Sequence, residues 1–216
     1  MTQETVFETI SRYGVVPVIA IDSVDAALPL ADALLEGGLP VAEITFRTAA
    51  APEAIKLMTA ECPDVMVGAG TVMTVAQAEQ AAESGVKFVV TPGFDDDVVD
   101  WCIANNMPIT PGVLTPTEIN MALKKGLTIV KFFPAEAGGG VKTLKAIAAP
   151  YGGVKFIPTG GISAANLPDY LSQPFVHACG GSWMVKKQLI SDGQFDQITA
   201  MAAEAVALAK QIRQGA

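Results

Sequence analysis

The sequence predicts an α/β fold, a single (β/α)8 barrel spanning residues 1–216, and three observations carry that prediction. Short β-branched apolar runs alternate with Ala-rich helical stretches from one end to the other, with no Ser/Gly/Pro-rich linker between them. Eight such pairs fit within 216 residues, close to the lower size limit of that barrel. Polar and Gly-rich residues gather just after the apolar runs, where barrel loops build a site. A doubly wound sheet is the competing architecture.

In chain order, the predicted strands are residues 15–21, 41–46, 65–68, 88–90, 108–109, 127–132, 154–157 and 176–179, each a short Val, Ile or Phe-rich run. The helices between them are residues 24–36, 51–60, 75–84, 95–105, 116–124, 141–149, 164–171 and 194–211. Gly37, Gly85 and Gly126 follow three of these helices, as C-terminal caps do. Asp95, Asp96 and Asp97 stand at a helix start, where acids complement the macrodipole, so they read as a cap and not a metal cluster. The Ala-rich last helix reads as core and subunit packing. A Rossmann reading lacks its fingerprint, because Gly68-Ala69-Gly70-Thr71-Val72-Met73 places Met73 where a third glycine must let helix pack on strand. The run Gly138-Gly139-Gly140-Val141-Lys142-Thr143 likewise has Val141 where a P-loop needs glycine.

Charge and composition remove several function classes. With 22 acidic against 14 basic residues, a net charge of −8 and no basic cluster, the chain lacks the footprint of a nucleic-acid binder. An anionic substrate must therefore be held by local devices: an Arg, a Lys or helix N-termini. The three cysteines, Cys62, Cys102 and Cys179, are odd in number and lack a CxxC pair, which fits a reducing cytoplasm and no zinc site. Residues 1–13 are acidic and polar, and no apolar run approaches a membrane span, so the expected protein is soluble, with no membrane partner. A single histidine, His177, cannot assemble a His-rich metal site or most nucleophile-base triads. It reads as a packed or hydrogen-bonded core residue.

Lys131 is the most informative side chain. It interrupts Leu127-Thr128-Ile129-Val130-Lys131-Phe132-Phe133-Pro134, a strand otherwise apolar apart from Thr128. Desolvation disfavours the ammonium and yields the neutral amine that a nucleophile requires. The bland alternative is a lysine snorkelling to solvent, an exit that Phe132, Phe133 and Pro134 obstruct. In the second strand, period-two alternation places Glu43, Thr45 and Arg47 on one face, opposite Ala42, Ile44 and Phe46. The apolar set must meet the helices, so the polar set points inward, either as an ion pair or as working groups. Gly160-Gly161 and Gly180-Gly181-Ser182 follow the seventh and eighth strands, where barrels capture phosphate or carboxylate on bare backbone N–H groups.

These segments together resemble the class I 2-keto-3-deoxy-6-phosphogluconate (KDPG) aldolases, a family that includes 4-hydroxy-2-oxoglutarate (KHG) aldolases. The resemblance rests on Val15-Val16-Pro17-Val18-Ile19, Glu43-Ile44-Thr45-Phe46-Arg47-Thr48, Gly68-Ala69-Gly70-Thr71, Lys131-Phe132-Phe133-Pro134-Ala135-Glu136, Pro158-Thr159-Gly160-Gly161-Ile162 and Gly180-Gly181-Ser182-Trp183. It implies that Lys131 forms a Schiff base and Glu43 is the general acid/base. It further implies that Arg47, Thr71 and Thr159 contact the pyruvate half, that Pro92 and Phe133 line it, and that Gly160, Gly161, Gly180, Gly181 and Ser182 hold a phosphate. The implied substrate is a 2-keto acid or sugar-acid phosphate, with no metal or organic cofactor, in a cytoplasmic homotrimer. Thr91 stands where the family has Ser, and an expected Asn near Gly138 is missing. Thr159 favours the gluconate over the galactonate epimer. Two other classes stay open on the residues alone: a sugar-phosphate isomerase or synthase without imine chemistry, and a non-catalytic sugar-phosphate sensor.

Overall fold

The structure is a computed structural model that describes residues 2–215; Met1 and Ala216, the ends of the expected 1–216 unit, lie outside the described residues. The chain opens on α1 (Gln3–Tyr13) and then alternates β1 (Val15–Ile19), α2 (Ala27–Glu36), β2 (Val41–Thr45), α3 (Ala51–Glu61), β3 (Met66–Gly70), α4 (Val75–Glu83), β4 (Phe88–Val90) and α5 (Asp96–Ala104). The second half continues through β5 (Ile109–Thr110), β6 (Gly112–Val113), α6 (Pro116–Lys124), β7 (Ile129–Phe132), α7 (Gly140–Ala148), β8 (Lys155–Pro158), α8 (Leu167–Leu171), β9 (Cys179–Gly181), α9 (Lys187–Ser191) and α10 (Phe195–Gln214).

The strands hydrogen-bond as a curled six-stranded sheet, β5-β4-β3-β2-β1-β9, and a three-stranded sheet, β6-β7-β8. Every pairing is parallel. The expectation of one continuous barrel ladder is thus met only in part. In place of the fifth strand predicted at 108–109 there are two, β5 and β6, on either side of Pro111, which has no N–H to donate, although its carbonyl accepts the Lys131 N–H at 2.9 Å. Between β8 and β9 the contact is reduced to two isolated bridges, Phe156 with Val176 and Thr159 with Gly180. The last strand also lies later than the predicted 176–179, because Gly180 and Gly181 are strand residues and not a turn.

Alternation along β2 sorts two cores. Ala42 and Ile44 join the large core beneath the helices, with Leu30, Leu34, Ile55 and Phe156 among its members. A second, inner core holds Val16, Val41, Met66, Phe88, Val90 and Ile157 from the strands. Val6, Phe7 and Ile10 of α1 complete that inner core, so the first helix plugs one end of the strand array. Its start is set by Thr2, whose side chain accepts from Thr5 N–H, and its end by Gly14 in the left-handed region at φ 72°. His177 fastens the plug: its Nε2 donates to the Phe7 carbonyl at 2.8 Å and its ring meets the Phe7 ring edge-on. Asp95 caps α5 as expected, accepting from Val98 N–H at 3.0 Å.

Candidate active site

Lys131 is the third residue of β7, and period two turns it away from the helices, into the space the strands enclose. Only 4% of it is exposed. Its Nζ lies 4.7 Å from the centroid of the Phe133 ring. Glu43 reaches the same interior from β2 and is 3% exposed. The close approach of β3 makes room for it: a Cβ on Gly70 would collide with Glu43 Oε1 and sit 2.8 Å from its Cγ. Glycine is therefore required there by the carboxylate and not by a turn.

Burial shifts both groups toward their neutral forms. The Lys131 ammonium is held below its usual range by desolvation, with Glu43 opposing the shift and Arg47 reinforcing it. The Glu43 carboxyl is pushed up by desolvation, against the pull of Lys131 and Arg47. An unprotonated amine and a carboxyl able to hold a proton are the pair that addition to a carbonyl demands.

Glu43, Lys131 and Thr159 line one small interior cavity. Arg47 does not join them as alternation suggested. β2 ends at Thr45, the chain turns with Arg47 N–H donating to the Thr45 carbonyl at 2.7 Å, and the side chain becomes exposed. Its Nε donates to Thr45 Oγ1 at 3.1 Å, and among the described residues it forms no ion pair with Glu43. Arg47 instead lines a second, open cavity of about 590 Å³ with Thr48, Gly161, Ser182, Lys186 and Lys187. The two lysines line this cavity without having stood out in the sequence, and Lys187 is paired with Asp22 at 2.9 Å. No local pattern marks them, since they lie beyond the eighth strand, where Lys186 caps α9 and Lys187 begins it.

Thr71 and Pro92 follow β3 and β4 at the strand ends and are half-buried. Thr71 adopts φ 57°, a region a β-branched side chain enters only under constraint. Thr159 approaches β9 so closely that a Cβ on Gly180 would meet its Oγ1, while Gly160 packs against Phe133. The Gly160-Gly161 turn is held by Glu136, whose N–H donates to the Gly160 carbonyl at 3.0 Å, and Tyr170 O–H donates to the Glu136 carboxylate. Thr91 does the work of a hydroxyl in its own turn, donating to the Gly93 carbonyl at 2.6 Å and accepting from Gly112 N–H at 3.1 Å.

Comparison with known proteins gives a consistent picture. The family model described as KDPG and KHG aldolase matches residues 6–201. The 2-dehydro-3-deoxy-phosphogluconate aldolase of Treponema pallidum is 50% identical, over 93% of this chain and 95% of its own length. The KHG/KDPG aldolase of Escherichia coli K12 is 43% identical, over 96% of this chain and 98% of its own. Among solved structures, KDPG aldolase from Legionella pneumophila, captured with pyruvate as a covalent carbinolamine intermediate, superposes with a TM-score of 0.90. That chain is 38% identical, and the match covers 95% of this chain and 98% of that one.

Proposed function

The chain belongs to the KDPG and KHG aldolase family, and we propose that Lys131 and Glu43 perform a class I aldol cleavage on 2-dehydro-3-deoxy-6-phosphogluconate. The products are pyruvate and glyceraldehyde 3-phosphate. The same pair serves 4-hydroxy-2-oxoglutarate, giving pyruvate and glyoxylate, as the bifunctional name of the E. coli relative suggests. The observation that carries the reading is Lys131, buried and pushed toward the neutral amine beside the Glu43 carboxyl.

Neutral Lys131 adds to the C2 ketone, and the resulting carbinolamine loses water to give a protonated imine. Glu43 then accepts the proton of the C4 hydroxyl as the C3–C4 bond breaks, and the electron pair passes into the iminium to form an enamine. Protonation at C3 and hydrolysis release pyruvate and restore the amine. Because the iminium is the electron sink, this route draws on no metal or organic cofactor. Thr71 and Thr159 contact the pyruvate half, Arg47 reaches it from the neighbouring open cavity, and Pro92 and Phe133 line it. Gly160, Gly161, Gly180, Gly181 and Ser182 supply the phosphate site, a role supported by Gly161 and Ser182 sharing the open cavity with Arg47, Lys186 and Lys187.

The same reading takes residues 1–216 as one catalytic domain and the two sheets as a single eight-membered (β/α)8 ring, supported by the continuity of β5 and β6 through Pro111 and by the β8–β9 bridges. Free cysteines at 62, 102 and 179 fit a reducing cytoplasm. The assembly that goes with it is a homotrimer.

Borohydride reduction in the presence of pyruvate tests the chemistry. A stable adduct on Lys131 and no other lysine is expected, and Lys131→Arg, whose guanidinium stays protonated, should give neither adduct nor turnover. No adduct on the wild-type protein would leave an isomerase, a synthase or a sensor in its place.

A further inference from the structure

Two buried side-chain oxygens among the described residues have no hydrogen-bond partner: Glu43 Oε1 and Thr110 Oγ1. Buried polar atoms are almost always paired, and each unpaired one calls for a cause. Both residues line the same cavity, together with Lys131 and Thr159. Its volume is about 10 Å³. That is the smallest space that admits one water, which needs two to four polar partners. Ile10 of α1 and Phe88 and Val90 of β4 supply apolar parts of its lining, and Thr110 stands in register with Val90. Thr110 is 1% exposed and takes no part in the mechanism above. A valine would fill its place with the same shape, so the hydroxyl needs a purpose or it is a net cost.

We propose that Thr110 is a positioning residue for Glu43, acting through a single internal water bound between Thr110 Oγ1 and Glu43 Oε1. Thr110 O–H donates to the water and the water donates to Glu43 Oε1. That oxygen is thereby committed inward, and proton exchange with the substrate falls to Oε2. The donor also favours the carboxylate form, partly offsetting the desolvation that pushes Glu43 toward the acid. The charged groups whose fields act on Glu43 are Lys131, in the same cavity, and Arg47, from outside it. The consequence for catalysis rests on the aldolase reading; the water and its effect on the Glu43 proton do not.

Thr110→Val and Thr110→Ser separate the possibilities. The carboxyl carbon of Glu43 is followed by NMR through a pH titration of the resting protein, with Glu43→Gln identifying its signal. Thr110→Val should raise the Glu43 midpoint by about one pH unit, the effect of one lost hydrogen bond to a carboxylate, and Thr110→Ser should restore it. The acid limb of the kcat profile should move in the same direction by the same amount. A high-resolution crystal structure should show one water between the two oxygens in the wild type and in Thr110→Ser. An unchanged titration in a folded Thr110→Val, above all with a raised Tm, overturns the proposal, because the hydroxyl was then simply unsatisfied. A shifted titration in a protein that forms no pyruvate adduct would instead retain the water and remove the aldolase reading.

Discussion

Ile10→Ala tests whether the first helix keeps the reacting lysine dry. Ile10 is 1% exposed, belongs to the inner core and forms part of the wall beneath Lys131 and Glu43. The substitution removes three carbons, about 2.4 kcal/mol of transfer free energy at roughly 0.8 per methylene. Incomplete collapse around the gap brings the expected cost to about 3–4 kcal/mol, inside the usual range for such truncations. For a domain of this size that lowers Tm by about 6–16 °C, which differential scanning calorimetry measures directly. The enlarged cavity then holds several waters. Solvation returns Lys131 toward its ordinary, higher range, so the pH at which borohydride trapping with pyruvate reaches half its maximum should move upward. A Tm loss of the expected size with an unmoved trapping profile would refute the argument that the plug depresses the lysine.

Three further outcomes are expected. Glu43→Gln keeps size but removes the proton acceptor, and should lower kcat roughly 100-fold or more while Tm changes little. Ser182→Asp places a carboxylate in the cavity lined by Gly161, Lys186 and Lys187. It should raise KM for the phosphorylated substrate far more than for 4-hydroxy-2-oxoglutarate, and equal losses with both would move the phosphate elsewhere. His177 is held below its usual range chiefly by burial, so the unfolded chain binds its proton first as pH falls. Its contribution is present above pH about 6.5 and is lost below it; His177→Gln should therefore flatten the decline of Tm from pH 7 to 5, and an unchanged decline would show that other groups set it.

How far the chain announced this architecture depends on how far local chemistry determines geometry. Strands β1 to β5, β7 and β8 were legible because parallel strands buried on both sides read as short Val, Ile and Phe runs, whereas β6, a Gly-Val pair after Pro111, was not. Lys131 and Glu43 were legible for the same reason, as ionisable residues inside such runs. Arg47 was misplaced because alternation was carried past Thr45, where the β2 ladder stops and the chain turns. β9 was cut short because its glycines look like a turn, and only the neighbouring Thr159 and Trp183 side chains reveal why they sit in a strand. The α1 plug carried usable signals that went unread: Val6 and Ile10 one turn apart, Thr2 before them and Gly14 after. What it covers is a tertiary fact and could not be read locally. Thr110 and Lys186 became visible only once separate strands converged.

Residue 71 gives the molecule a place where two kinds of selection pull apart. At φ 57° a glycine or an asparagine would relax the backbone, whereas the threonine found there bears a cost of order 1–3 kcal/mol. A library screened for heat tolerance alone should drift toward Gly or Asn at this position. One screened for turnover should keep the threonine. The codon on which the two populations diverge would then mark, without any substrate bound, which strained backbone the protein maintains for its chemistry.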